Sequence, residues 1–177
     1  MESGASLQLL EMITATEIST ISAPSTYQEW LDCFLLMKEQ PLSSNGIYEV
    51  VISGSFSGSG VMQAALEQQM VDTINVVLNK SVKRFVRELN ECIAFNELDR
   101  AEFLFKRLKK DIHKTLFFMQ LSFLSGDFKT ELFSSISVQM NGFWDDTIGF
   151  LRKQAMEHTN SDLEDAIYLI RRIKLFS

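Results

Sequence analysis

An all-α fold, a bundle of about six antiparallel helices with a short extended segment inserted near residues 47–52, is predicted by three features of this 177-residue sequence. From Asp99 to Ala155, apolar residues recur at helical spacing on both sides of a Ser125-Gly126-Asp127 turn, the pattern of a helical hairpin. Only two prolines and eight glycines interrupt the chain, so few breaks are obligatory. Fourteen phenylalanines provide bulky filling for helix-on-helix packing. The length is that of one ordinary domain, and 46% apolar with 23% charged residues is the mix of a packed protein, so a single domain over 1–177 is expected.

A first helix is expected over 6–20, where Leu7, Leu10, Thr14 and Ile18 fall near one face. The second starts after Pro24: Thr26 and Glu29 have capping-box spacing, Tyr27, Trp30, Leu31, Phe34 and Leu35 follow at helical intervals, and Pro41 ends it. Ser43-Ser44-Asn45-Gly46 is turn chemistry, and Ile47 to Ile52 is short and rich in β-branched residues, which predicts the extended segment. Ser53 to Gly60 is almost all Ser and Gly and predicts a flexible loop. From Val61 a seam of Leu66, Met70, Ile74, Val77, Leu78, Phe85, Leu89 and Cys92 predicts a helix roughly 50 Å long, with a bend expected near 79–81.

Asn96 is then expected to cap a helix whose seam runs Leu98, Ala101, Phe105, Leu108, Ile112, Thr115, Met119 and Phe123. Gly126 suits a left-handed closing position and Asp127 a cap for the next helix, seamed by Phe128, Leu132, Ile136, Met140, Phe143, Thr147, Leu151 and Ala155, with Asn141-Gly142 a point of division. Ser161 and Glu164 have the spacing of a second capping box, and Leu163, Ala166, Ile167, Ile170 and Ile173 follow on one face to a basic end at Arg171, Arg172 and Lys174.

The net charge of −6 is unevenly spread: residues 1–79 carry −8, 80–114 carry +4 and 115–177 carry −2. An acidic first third and a basic middle are electrostatically self-complementary. Cys33 and Cys92 both fall on apolar stripes, too few for a disulfide framework, which suits a reducing compartment. The first residues lack the pattern of a signal peptide, and no apolar run reaches the roughly 18 residues of a membrane span, so a cytoplasmic location is expected.

No catalytic pattern is assembled, and no enzyme activity, cofactor or metal is expected. The residue three before His113 is Lys110 and three before His158 is Ala155, so neither histidine has the Glu-x-x-His or His-x-x-x-His spacing of helical metal sites. The glycines of 54–60 follow G-x-x-x-G-x-G and lack the Gly-Lys-Ser/Thr of a phosphate cradle. Asp145-Asp146 and Glu164-Asp165 are adjacent on helices and point to different faces.

Two features point to binding. An unpaired strand invites a partner at its edge, which nominates Tyr48, Val50 and Ile52. Residues 116–124 are apolar all round the helix, so they form either the buried centre or a leftover contact face, nominating Phe117, Phe118 and Leu121. The reading is a non-enzymatic regulatory or adaptor-like module that binds a protein partner or a second copy of itself. The alternative is a nucleic-acid-binding regulator using Lys83, Arg84, Arg87, Lys106, Arg107, Lys109 and Lys110, although acids are interleaved among them.

Overall fold

The structure is a computed structural model, and it describes residues 22–40, 46–158 and 160–176. The expected helix over 6–20 and the turn at 43–45 lie outside these. Six α-helices follow in order: α1 Tyr27–Glu39, α2 Gly46–Val51, α3 Gly60–Ala94, α4 Asp99–Thr115, α5 Gly126–His158 and α6 Ser161–Ile170, with a 3₁₀ turn over Leu116–Gln120 after α4. No strand occurs among the described residues, and the fold class is all-α. The chain divides into two compact units, one of residues up to Ile74 with Phe117–Phe123, the other of Asn75–Leu116 with Leu124 onward.

In the first unit the Thr26 capping box forms as predicted: its hydroxyl accepts from the Glu29 N–H, and the Glu29 carboxylate accepts from the Thr26 N–H at 3.0 Å. The extended segment is corrected to helix α2. Its β-branched residues cost at most about 0.7 kcal/mol each in helical form. The helix buries Ile47, Tyr48 and Val51 on one face, and α1 packs with it. Burying an Ile or Val is worth about 1.5–3 kcal/mol, so burial overrides propensity.

Residues 53–59 leave the helical path, but the loop is held. The Trp30 Nε1–H donates to the Ser55 carbonyl at 2.8 Å, and the Ser55 N–H donates to the Pro24 carbonyl at 2.8 Å. Gly54 sits so close that a Cβ there would lie 2.6 Å from the Trp30 ring. A larger residue would push the indole off its acceptor.

The predicted seam past Thr115 is also corrected. Helix α4 stops there: continued in 100° steps, it would carry Phe117, Phe118, Leu121 and Leu124 to the side away from its Leu108, Ile112 and Thr115 seam, and all four are buried. The 3₁₀ turn brings them in, while Met119, assigned to the seam, is exposed. Phe117 meets Tyr48 edge-on at 6.0 Å, and Phe123 meets Trp30 at 5.3 Å.

In the second unit, the part of α3 from Asn75 onward joins α4, α5 and α6, with α6 packed on both α4 and α5. Phe105 is fully buried between Phe85 and Trp144, at centroid distances of 4.9 and 4.7 Å, both edge-to-face. Of the predicted α5 seam, Leu132, Ile136, Met140, Leu151 and Ala155 are buried, whereas Phe128, Phe143 and Thr147 are half-buried and Trp144 and Ile148 are the buried residues in the middle of the helix. Helices α3 and α5 are unbroken through 79–81 and Asn141-Gly142 respectively.

Three caps differ from expectation. Asn96 ends α3 and does not start α4: it has φ +54°, its N–H bonds the Ile93 carbonyl, and the Glu97 N–H bonds the Cys92 carbonyl. That pair is a Schellman closure, which asparagine tolerates because its short amide side chain is permitted in the left-handed region. Gly126 is the first residue of α5, and the Ser125 hydroxyl accepts from the Phe128 N–H at 3.1 Å in the capping role given to Asp127. Asn160, one residue before Ser161, caps α6 by accepting from the Leu163 N–H at 3.1 Å.

Candidate protein-binding surface

Of the first group of candidate residues only Tyr48 turns fully inward. Tyr48 is buried on α2, Val50 is half-buried and Ile52 lies at the margin of exposure just after the helix. With α2 helical, these three form no strand edge. Phe117, Phe118 and Leu121 are buried in the core of the first unit, so these three close the chain's own interior, and Met119 is the exposed apolar residue of 116–124.

The seven basic residues are divided in their roles. Arg84 meets Asp111 at 2.5 Å, and Arg107 pairs with Glu88, so both tie α3 to α4. Burial pushes the Asp111 carboxyl above its ordinary value, offset in part by the Arg84 guanidinium. Lys106 pairs with Glu102 at 2.6 Å along α4. The Lys109 Nζ donates to the Lys174 carbonyl at 2.5 Å. Lys83, Arg87 and Lys110 are exposed. The acids interleaved in the basic middle therefore engage Arg84, Lys106 and Arg107.

Lys109 belongs to a second arrangement, the pinning of the C-terminal segment that follows α6. The His113 Nε2 lies 2.6 Å from the Leu175 carbonyl, and since a carbonyl only accepts, that nitrogen carries the proton. Phe176 stacks on His113 at 6.0 Å and meets Phe133 edge-on at 5.7 Å. Residues 173–176 thus run beside α5 as a fixed wall.

Among its described residues the second unit carries open grooves. One, of about 490 Å³, lies between the start of α4 and α6 and carries Asp99, Glu102, Asp162 and Asp165 around Leu98, Ala166 and Leu169. Another, of about 550 Å³, lies between α5 and the pinned segment. Three aromatic side chains of the same unit are largely exposed: Phe95 at 74%, Phe103 at 60% and Tyr168 at 66%. Phe103 follows Glu102 of the acidic groove, Tyr168 precedes Leu169, and the Arg107 guanidinium sits 5.8 Å from the Phe103 ring centre. Sequence reasoning passed over Phe103 and Tyr168. The available signal was that both are aromatics off the apolar seams of their own helices.

Cys33 and Cys92 are free and buried. Burial, with Asp32 and Glu29 nearby, pushes the Cys33 thiol up to about 11, and burial also raises Cys92, so neither is prepared as a thiolate nucleophile. Among the described residues no three His, Cys, Asp or Glu side chains are grouped to hold a metal ion, and no helix is long and apolar enough to cross a membrane. No family model, no curated protein and no solved structure matches this chain.

Proposed function

We propose that this chain is a non-enzymatic regulatory or adaptor-like module that binds a protein partner through the helical surface of its second unit. The observation that carries the reading is the exposure of Phe95, Phe103 and Tyr168. A single exposed aliphatic residue needs no explanation, but three aromatics held in water by well-packed helices forgo burial that would be worth about 1.5–3 kcal/mol for a phenylalanine. Aromatic side chains are also the residues most enriched at the centres of interfaces. The surface nominated here replaces the strand edge and the 116–124 face. A cytoplasmic location belongs to the same proposal and is in keeping with two free, buried thiols.

A photo-crosslinking amino acid placed at 95, 103 or 168, with position 139 on the exposed side of α5 as control, tests it in cells of the native host. Adducts of discrete mass from the three aromatic positions and none from 139 are expected. An adduct of twice the chain mass identifies a second copy as the partner. Absence of discrete adducts at all three aromatic positions refutes the proposal.

A further inference from the structure

We infer that the groove between α5 and the pinned segment 171–176 docks an acidic amphipathic helical segment of a protein partner. The inference rests on the reading of this chain as a protein-binding module and names the chemistry of one partner.

The α5 wall is set by residues three and four apart, from Asn141 through Trp144, Asp145 and Ile148 to Arg152, so the groove follows three turns, about 16 Å of helix. Its floor is apolar, from Trp144 and Ile148 on one side to Ile173 and Phe176 on the other. Its rim is cationic. Arg152, Arg171 and Lys174 line the groove, and among the described residues none of their side chains makes an ion pair or hydrogen bond. Arg84, Arg107 and Lys106, by contrast, all have carboxylate partners. Against the three cations the groove holds one carboxylate, Asp145, which leaves an excess of positive charge over an apolar floor.

Gly149 lines the same groove. It lies inside α5, where glycine costs about 1 kcal/mol relative to alanine, and a Cβ built on it meets nothing within 4 Å. Internal packing does not require the missing side chain. A glycine facing open groove lets another backbone approach closely. The volume of about 550 Å³ takes the side chains of one face of a short helix, with apolar anchors at i, i+3 or i+4 on the floor and acids beside them meeting the rim. A nucleic-acid backbone would bring phosphates against Asp145 and leave the floor unfilled, so a peptide is the better complement.

The test is selection of a displayed library of random 16-residue peptides on the whole chain, followed by fluorescence anisotropy with the enriched peptides. Enriched peptides are expected to be net acidic with at least two bulky apolar residues at helical spacing. Their dissociation constants are expected to rise at least tenfold on raising salt from 50 to 500 mM, by screening of the rim charges. A rise of at least tenfold is also expected for G149W, which fills the open space, and for the double variant R152E/R171E, which reverses the rim. Circular dichroism checks that each variant keeps its helicity, and the two act by different means, so one folded variant suffices. Enrichment of basic or uncharged peptides, no enrichment, or unchanged affinity in a folded variant overturns the inference. A short DNA duplex bound more tightly than the enriched peptides overturns it as well. Adducts from positions 103 and 168 that persist alongside such a failure leave the module standing and remove only this groove.

Discussion

Truncating Phe105 tests the packing of the second unit most directly. The ring is fully buried and meets both Phe85 and Trp144 edge-to-face. Phe105→Ala removes the whole ring, and large-to-small changes of this kind cost about 3–5 kcal/mol through lost transfer energy and the cavity left behind. Phe105→Leu restores most of the volume but loses two aromatic pairs, each worth about 0.5–1.5 kcal/mol, so a loss of about 1–3 kcal/mol is expected. Phe103→Ala, two residues earlier on the same helix and largely exposed, is expected to shift stability by no more than about 0.5 kcal/mol. Urea unfolding followed by circular dichroism at 222 nm, with the denaturant slope held common, reads all three. A Phe105→Ala loss below about 1 kcal/mol, or a Phe103→Ala loss equal to it, would mean that the two faces of α4 are assigned the wrong way round.

Two further outcomes concern helix ends. Glu29 has its carboxyl lowered from the ordinary 4.5 to about 2, chiefly by the Ser25 N–H, then by the Thr26 N–H and the Ser25 hydroxyl. An acid lowered by folding contributes stability that is present above 4.5 and lost as pH falls toward 2, so E29Q should abolish that part of the acid dependence of unfolding. An unchanged pH profile in E29Q would show that the capping box does not hold in solution. Asn96→Ala places a Cβ-bearing residue without a polar side chain at φ +54° and should cost about 1 kcal/mol, whereas Asn96→Gly should stay within about 0.5 kcal/mol of the parent in thermal melts. Equal melting temperatures for the two variants would contradict the left-handed closure of α3.

The helical seams show where sequence reading succeeds and where it stops. Leu132, Ile136, Met140, Leu151 and Ala155 were placed on the buried side of α5 from spacing alone, because an amphipathic helix carries its own instruction about which face is covered. Residues 47–52 read as extended because β-branched residues favour strands by local propensity, and the burial of Ile47 and Val51 reversed a preference worth less than it. At 116–124 spacing was uninformative, since apolar residues there fall on every side of a helix. The candidate surface was the least legible part. Phe103 and Phe105 are the same residue type two positions apart, one exposed and one enclosed, and composition cannot tell them apart.

Local chemistry was sufficient for the all-α class, the Thr26 capping box and the buried stripe of α5, because hydrogen bonds within one helix and a periodic apolar face are properties of neighbours along the chain. The end of α4 at Thr115, the conversion of 46–51 to helix and the division of cations between inner ion pairs and an open rim depend on residues distant in sequence. Arg84 finds Asp111 and Lys109 finds the Lys174 carbonyl, while Arg152 and Arg171 meet no such partner among the described residues. Those encounters are set by how helices pack, where burial energies of several kcal/mol outweigh propensities of a few tenths.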